Sequence, residues 1–316
     1  MEEAEIERWE VIGAYDPGSE VVSLDIGEGD GGDASNLSSP SSPSIDVAPP
    51  SRVRLKIRQV INQSREEVAS GVVWNVAVEL CWFLWRELGH GCKWKAPESF
   101  AFVELGAGTG VVGLFLKCCF ASASVLLTDL PDALGLLRGN IELNGLEGQE
   151  AVSSGGEAQI CCRGKLEVMA LDWREPGGKV RELLEKDNGW SCLKIAVGAD
   201  LTYSPECRQL LSEILKDDSH PLSQIPWLIA HQHRDPISIS EEEIFRIFGP
   251  LCSRILVASQ DRTSRFKSDV GSFGFFLFFP KGCPAAFPEE TAALLSLLEP
   301  AFTRAHSNHH GAASGD

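Results

Sequence analysis

The chain has 316 residues, 43% hydrophobic and 23% charged, which is enough apolar material for one large domain or two small ones. Its 45 acidic residues outnumber 28 basic ones, for a net charge of −17. That balance argues against general nucleic-acid binding and against docking on an anionic membrane, both of which need clustered positive charge. No run approaches the roughly 18 apolar residues of a membrane span. Met1-Glu2-Glu3-Ala4-Glu5 lacks the basic and apolar regions of a secretory leader. Ten cysteines without a Cys-x-x-Cys read as reduced thiols, so the expected compartment is the cytoplasm, and the nucleus besides.

In chain order, residues 1–51 read as an acidic, disordered tail. The first fifty residues hold twelve acidic side chains against the single base Arg8. The Gly, Ser, Asp and Pro of 16–50 cannot bury enough apolar surface to offset ordering entropy. Residues 52–302 are expected to form one domain: an N-terminal strand and helix over 52–99, then a core over 100–280. Residues 303–316 are expected to fray. Arg52–Val60 alternates Val53, Leu55 and Ile57 with charged residues, the mark of a half-buried strand, and Trp74–Leu88 carries apolar residues at helical spacing.

From residue 100 strands and helices alternate. Strands are predicted at Ala101–Leu105, Ser124–Thr128, Leu166–Leu171, Leu193–Gly198 and Trp227–Ala230. Helices are predicted at Val111–Phe120, Asp132–Asn144, Lys179–Asp187, Cys207–Lys216 and Glu241–Phe248. Glu147–Gly164 reads as a surface loop. Ile255–Ser259 and Phe273–Phe279 follow each other without a helix between, so the last pairing is expected to be antiparallel. Continuous apolar strands alternating with helices imply an α/β fold, a doubly wound, mostly parallel seven-stranded sheet with an antiparallel closing strand.

The chemistry lies in Phe102-Val103-Glu104-Leu105-Gly106-Ala107-Gly108-Thr109-Gly110-Val111-Val112-Gly113. A strand running into glycines and then a helix lets backbone approach a ligand. Gly108, Gly110 and Gly113 satisfy the dinucleotide spacing, with Asp129 where a ribose-binding acid belongs. The neighbours favour a different nucleoside. Glu104, Asp129, Asp172 and Asp200 stand at the ends of four successive strands, which suits a cation-bearing nucleoside better than a pyrophosphate. Asp172-Trp173 offers an acid and an indole where an adenine would lie.

Val103-Glu104-Leu105-Gly106-Ala107-Gly108-Thr109-Gly110, Thr128-Asp129-Leu130-Pro131, Leu171-Asp172-Trp173 and Gly198-Ala199-Asp200-Leu201-Thr202-Tyr203 resemble class I S-adenosylmethionine-dependent methyltransferases. With Gly71-Val72-Val73-Trp74-Asn75 upstream, they are similar to the methyltransferase-like 21 branch of family 16 protein-lysine methyltransferases, with Asn75 where that branch carries Asp. The resemblance covers residues 53–280. It implies a Rossmann-like fold and S-adenosylmethionine as cofactor. It implies cofactor contacts from Trp74, Gly106, Ala107, Gly108, Asp129, Trp173 and Ala199, to which position in the motifs adds Glu104, Gly110, Leu130 and Asp172. Asp200 and Tyr203 match the branch's Asp-x-x-Tyr and are the expected catalytic pair on the acceptor side, where a carboxylate and a phenol at a channel mouth could hold an amine and help it lose a proton.

The expected reaction is methyl transfer to a protein nitrogen, a lysine ε-amine foremost. A histidine-directed or small-molecule methyltransferase, a non-catalytic binding module and an NAD-dependent oxidoreductase are the alternatives. The expected partner is a protein substrate, met by a monomer or in a transient complex, with neither nucleic acid nor membrane involved. No metal is expected: His231 and His233 alternate off a strand end, but no third ligand stands at metal spacing. No Gly-x-Ser-x-Gly elbow supports a serine hydrolase.

Overall fold

Strands that are apolar on both sides need cover on both faces, and the helices of this chain divide to supply it. The computed structural model describes residues 21–27, 52–60, 71–89, 96, 100–146, 164–186, 193–233, 240–258 and 272–307. Strands β3 (Ala101–Leu105), β4 (Ser124–Asp129), β5 (Leu166–Ala170), β6 (Leu193–Ala199), β7 (Trp227–His233), β8 (Cys252–Ala258), β9 (Ser272–Pro280) and β10 (Phe302–Ser307) form one eight-stranded sheet in the order β10-β8-β9-β7-β6-β3-β4-β5. The five strands from β5 to β7 are parallel. Phe-rich β9 inserts antiparallel between β7 and β8.

One face of the sheet packs α1 (Asn75–Leu84), α2 (Val111–Cys119), α3 (Leu134–Leu143) and α7 (Glu289–Leu298) around Leu80, Phe83, Phe115, Leu137 and Leu294. The other packs α4 (Gly177–Lys186), α5 (Pro205–Lys216) and α6 (Glu241–Phe248) through Val180, Leu211, Ile214 and Phe248. Helix starts follow local chemistry. Ser204 caps α5, its Oγ accepting from the Cys207 N–H, with Pro205 at the first helical position. Ser240 caps α6 in the same way ahead of Glu241, Glu242 and Glu243, whose charges favour a helix N-terminus.

Three expectations need correction. The sheet has eight strands among the described residues, not seven, because Phe302–Ser307 pairs antiparallel with β8. Residues 303–307 therefore belong to the sheet and not to a frayed tail. Residues 21–27 do not continue a structureless tail either. They form β1 (Val21–Gly27), which pairs antiparallel with β2 (Arg52–Arg58) in a separate two-stranded sheet. Val22, Leu24 and Ile26 are buried beneath it, and Asp25 pairs with Arg52 and Arg54. Residues 1–20, 28–51 and 308–316, and most of the 147–164 loop, lie outside the described residues.

The small sheet is anchored by two asparagines four residues apart, Asn140 within α3 and Asn144 at its C-terminal cap. Asn144 Oδ1 accepts from the Lys56 N–H (2.9 Å) and its Nδ2 donates to the Lys56 carbonyl (2.7 Å). Asn140 treats Arg58 in the same way and donates also to the Thr109 carbonyl at 2.9 Å. A helix thus satisfies the open edge of β2, and the glycine turn is tied to the same residue.

Candidate functional site

β4 and β5 lie on one side of β3, while β6 and β7 lie on the other. The loops leaving the carboxyl ends of β3 and β6 therefore run apart, and a crevice opens between them at the point where strand order reverses. The glycine turn leaves β3 and the Asp200–Tyr203 loop leaves β6, so the two segments singled out in the sequence meet across that crevice.

Gly106, Gly108 and Gly110 all have positive φ, at +56°, +55° and +81°. At Gly106 the requirement is also one of space. A Cβ there would lie 3.0 Å from Leu201 Cδ2 and 3.4 Å from Trp173 Cζ2. Side chains from the ends of β5 and β6 close over a residue that has none. Ala107 is held by its N–H donating to the Thr128 carbonyl (2.9 Å), and Gly110 turns back to the Ala107 carbonyl (2.7 Å).

The four strand-end acids differ in what they do. Asp129 Oδ2 accepts from the Gly108 N–H and Oδ1 from the Leu130 N–H, both at 2.7 Å. It therefore locks the turn while keeping further acceptor capacity on each oxygen. Burial raises its pKa above the usual aspartate range, and the two amides oppose that rise. Glu104 does not reach toward the crevice as its position suggests. It is 3% exposed and sits under the turn, Oε2 accepting from the Gly113 N–H at 2.8 Å. Burial, tempered by the Gly113 amide, holds its carboxyl at about 8. Asp172 likewise turns to its own loop, in an ion pair with Arg174 at 2.6 Å that, with hydrogen bonds, keeps its pKa low. Trp173, next to it, is the residue of that pair that reaches the turn.

Asp200 is 7% exposed and is the one non-glycine with positive φ, +59°, among the described residues. Its N–H donates to the Ala230 carbonyl (2.7 Å), and its Oδ1 faces the Gln232 N–H at 3.4 Å and His231 Nδ1 at 3.6 Å. The expected carboxylate at a channel mouth is thus set back against β7, and the mouth belongs to Tyr203, which is 48% exposed. Burial of its oxygen, the Cys207 thiol and the charges of Asp200 and Asp129 push the phenol up to about 12. Those charge couplings place Tyr203 within electrostatic reach of both acids. Leu130 and Trp74 are also exposed, Leu130 directly after Asp129 and Trp74 ahead of α1. Ala199, partly buried, ends β6 just before Asp200.

Two residues escaped the sequence reading. Thr202 and His231 are buried beside Asp200 and share a hydrogen bond, Oγ1 to Nδ1, at 2.8 Å. The histidine was visible as part of an alternating pair, but only strand pairing shows which loop it faces. A cavity of about 340 Å³ opens at the opposite, amino-terminal end of the strands, beside Lys194, Pro226 and Phe287. None of the residues above lines it.

These groups suit some ligands better than others. A pyrophosphate at such a turn needs free helix amides, and here acids take them: Gly113 N–H by Glu104 and Gly108 N–H by Asp129. The floor without side chains, the acceptor oxygens of Asp129 and the indole of Trp173 suit a nucleoside that carries hydroxyls and positive charge. A family model described as lysine methyltransferase matches residues 54–247. EEF1A lysine methyltransferase 3 of Xenopus tropicalis is 31% identical over 144 residues, 46% of this chain and 50% of that protein. Protein N-lysine methyltransferase METTL21A of Danio rerio is 39% identical over 147 residues, 46% of this chain and 54% of that protein. The chain spans about half the length of these curated relatives. Among solved structures, a TehB-like SAM-dependent methyltransferase from Corynebacterium glutamicum is 13% identical with a TM-score of 0.35, over 59% of this chain and 83% of that one.

Proposed function

The chain belongs to the lysine methyltransferase family, and on that footing we propose that it transfers a methyl group from S-adenosylmethionine to a lysine ε-amine of a protein substrate. The observation that carries this reading is the occupation of the turn's amides by Glu104 and Asp129. With those amides taken, a pyrophosphate finds no free donors at the turn, while the Asp129 carboxylate suits a nucleoside that carries hydroxyls and positive charge. S-adenosylmethionine, when bound, supplies an activated methyl on a sulfonium. Gly106, Ala107, Gly108 and Gly110 would form its floor, Asp129 would accept from its ribose hydroxyls, and Trp173 would flank the base. Leu130, Ala199 and Trp74 would line its rim.

On the acceptor side the chain has two tasks. A lysine ammonium, with a usual pKa of about 10.4, has no lone pair and must shed a proton before it can attack. Tyr203, held up to about 12, keeps its own proton at neutral pH. It therefore serves as a hydrogen-bonding wall for the amine and not as a base. The Asp200 carboxyl, set back in the crevice, is the group that attracts the ammonium and can take its proton. Methyl transfer is an in-line displacement, so the rest of the catalytic task is alignment. The names of the relatives, both directed at protein lysines, support a protein acceptor over a small molecule.

The test uses the full chain with tritiated S-adenosylmethionine and heat-treated cell lysate, and calorimetry with S-adenosylhomocysteine and with NADH. Label in protein, acid hydrolysis to methyl-lysine and binding of S-adenosylhomocysteine alone are expected. Asp129→Ala should abolish that binding. Binding of NADH alone, or label recovered only as methyl-histidine, refutes the reading.

A further inference from the structure

We propose that His231 is a positioning residue for methyl transfer, setting through its Nδ1 the relation between the Asp200 carboxyl and the Tyr203 phenol. The inference rests on the acceptor-side reading above and extends it to a residue outside the Asp-x-x-Tyr segment.

The geometry is specific. His231 is fully buried, at 0% exposed, on β7 immediately beside the loop that leaves β6. Its Nδ1 lies 2.8 Å from Thr202 Oγ1 and 3.6 Å from Asp200 Oδ1. One ring nitrogen therefore faces both halves of the segment: it stands 3.6 Å from the Asp200 carboxyl and hydrogen-bonds Thr202, the residue before Tyr203. Backbone and edge contacts also hold the loop. Asp200 N–H donates to the Ala230 carbonyl at 2.7 Å, and Arg208 Nη1 donates to the Thr202 carbonyl at 2.9 Å. These fix where the loop runs. They do not fix how far the carboxyl stands from the phenol.

Asp200 needs such a support because of its backbone. A non-glycine residue at φ +59° is held there only when its surroundings over-determine it. The left-handed turn aims the carboxyl back at β7 instead of into solvent. A histidine pinned between two strands, its ring edge-on to His233 with centroids 4.9 Å apart, is a rigid stop for that carboxyl. Tyr203 is half exposed, its hydroxyl beside the Cys207 thiol, and it follows Thr202 directly in the chain, so a shift of Thr202 carries the phenol with it. Displacements near 1 Å in such an arrangement cost roughly 100-fold in rate.

The chemistry of the side chain supplies the control. Asparagine places a polar atom on the branch that carries Nδ1, one bond beyond Cγ, whereas glutamine places it where Nε2 stands. If the Nδ1 contacts position the pair, His231→Asn should retain activity and His231→Gln should not. Thr202→Val removes the shared hydroxyl and should copy His231→Gln, while Thr202→Ser restores it.

The experiment measures single-turnover and steady-state transfer of tritiated methyl from S-adenosylmethionine to heat-treated lysate protein, with S-adenosylhomocysteine affinity read separately by calorimetry. For His231→Gln and Thr202→Val, kcat should fall by roughly 10–100-fold, with KM for S-adenosylmethionine and S-adenosylhomocysteine affinity within twofold of the unsubstituted chain. His231→Asn and Thr202→Ser should lie within about threefold of it. The double variant should be no worse than either single one, because both remove the same contact. Equal losses in the Asn and Gln variants, or loss of cofactor affinity in step with kcat, reduce His231 to a structural role and overturn the proposal. An unsubstituted chain that transfers no label sinks the methyltransferase reading itself, and a labelling chain indifferent to all four substitutions sinks this inference alone.

Discussion

Replacing Glu104 with glutamine should change how stability depends on pH, and the structure sets both the sign and the size. Glu104 is buried beneath the glycine turn, accepts the Gly113 N–H at 2.8 Å and holds its proton up to about 8, against an ordinary glutamate value of 4.5. Between those values the folded chain binds a proton that the unfolded chain has lost, so stability falls as pH rises through the window. The slope approaches about 1.4 kcal/mol per pH unit in mid-window, and the full cost of ionising the group is on the order of 4–5 kcal/mol. Glu104→Gln keeps an acceptor for the Gly113 amide and cannot ionise. Relative to the parent, the variant should gain a few kcal/mol between pH 5 and pH 9. Asp129, also raised by burial, adds slope of the same sign in both proteins and drops out of the difference. Urea unfolding followed by tryptophan fluorescence at whole pH steps measures it. Parallel stability curves for parent and variant would falsify the assignment of a buried, protonated Glu104.

Gly106→Ala forces a Cβ onto a residue at φ +56° and to within 3.0 Å of Leu201 Cδ2. It should cost about 1–2 kcal/mol and lower S-adenosylhomocysteine affinity at least roughly tenfold. Gly135→Ala, in α3 with nothing within 4 Å, should leave that affinity unchanged and is the control by calorimetry. Lys117 is 2% exposed, its Nζ donating to the carbonyls of Ala121 (2.6 Å), Ala123 (3.3 Å) and Gly164 (2.6 Å). Lys117→Met strands those acceptors and should lose about 2–4 kcal/mol in urea unfolding; an unchanged midpoint refutes the bracing role.

Much of the sheet can be read directly from residue patterns, because buried parallel strands announce themselves as apolar runs followed by turns. Ala101–Leu105 and Glu241–Phe248 have the predicted bounds, and the other core elements differ at their ends by a few residues. β7 runs on to His233, three residues past its predicted end. The polar residues His231 and Gln232 continue it, and no apolar pattern marks them; pairing with Gly274 and Phe273 of β9 does. β1 was legible in principle, since Val22, Leu24 and Ile26 alternate, but the surrounding Gly, Ser and Asp outweigh a seven-residue signal. β10 has only Phe302 and Ala305 as apolar residues, too few to make a pattern, and its pairing to β8 makes it a strand.

For the site, one-dimensional information identifies the residue types: glycines where φ is positive, acids at strand ends, an indole beside the turn. It names the cofactor's surroundings because those depend on local backbone geometry, which short-range sequence encodes. It cannot say which way a carboxyl points. Glu104, Asp129, Asp172 and Asp200 occupy equivalent places along the chain, yet one lies under the turn, one locks it, one pairs with Arg174 and one is drawn back to His231. Those outcomes depend on which amide or cation each acid meets, and such partners are brought near by strand order, from as far as 32 residues away for the Gln232 amide at Asp200. Direction, burial and proton affinity are properties of the assembled crevice, whereas composition and spacing belong to the chain before it folds.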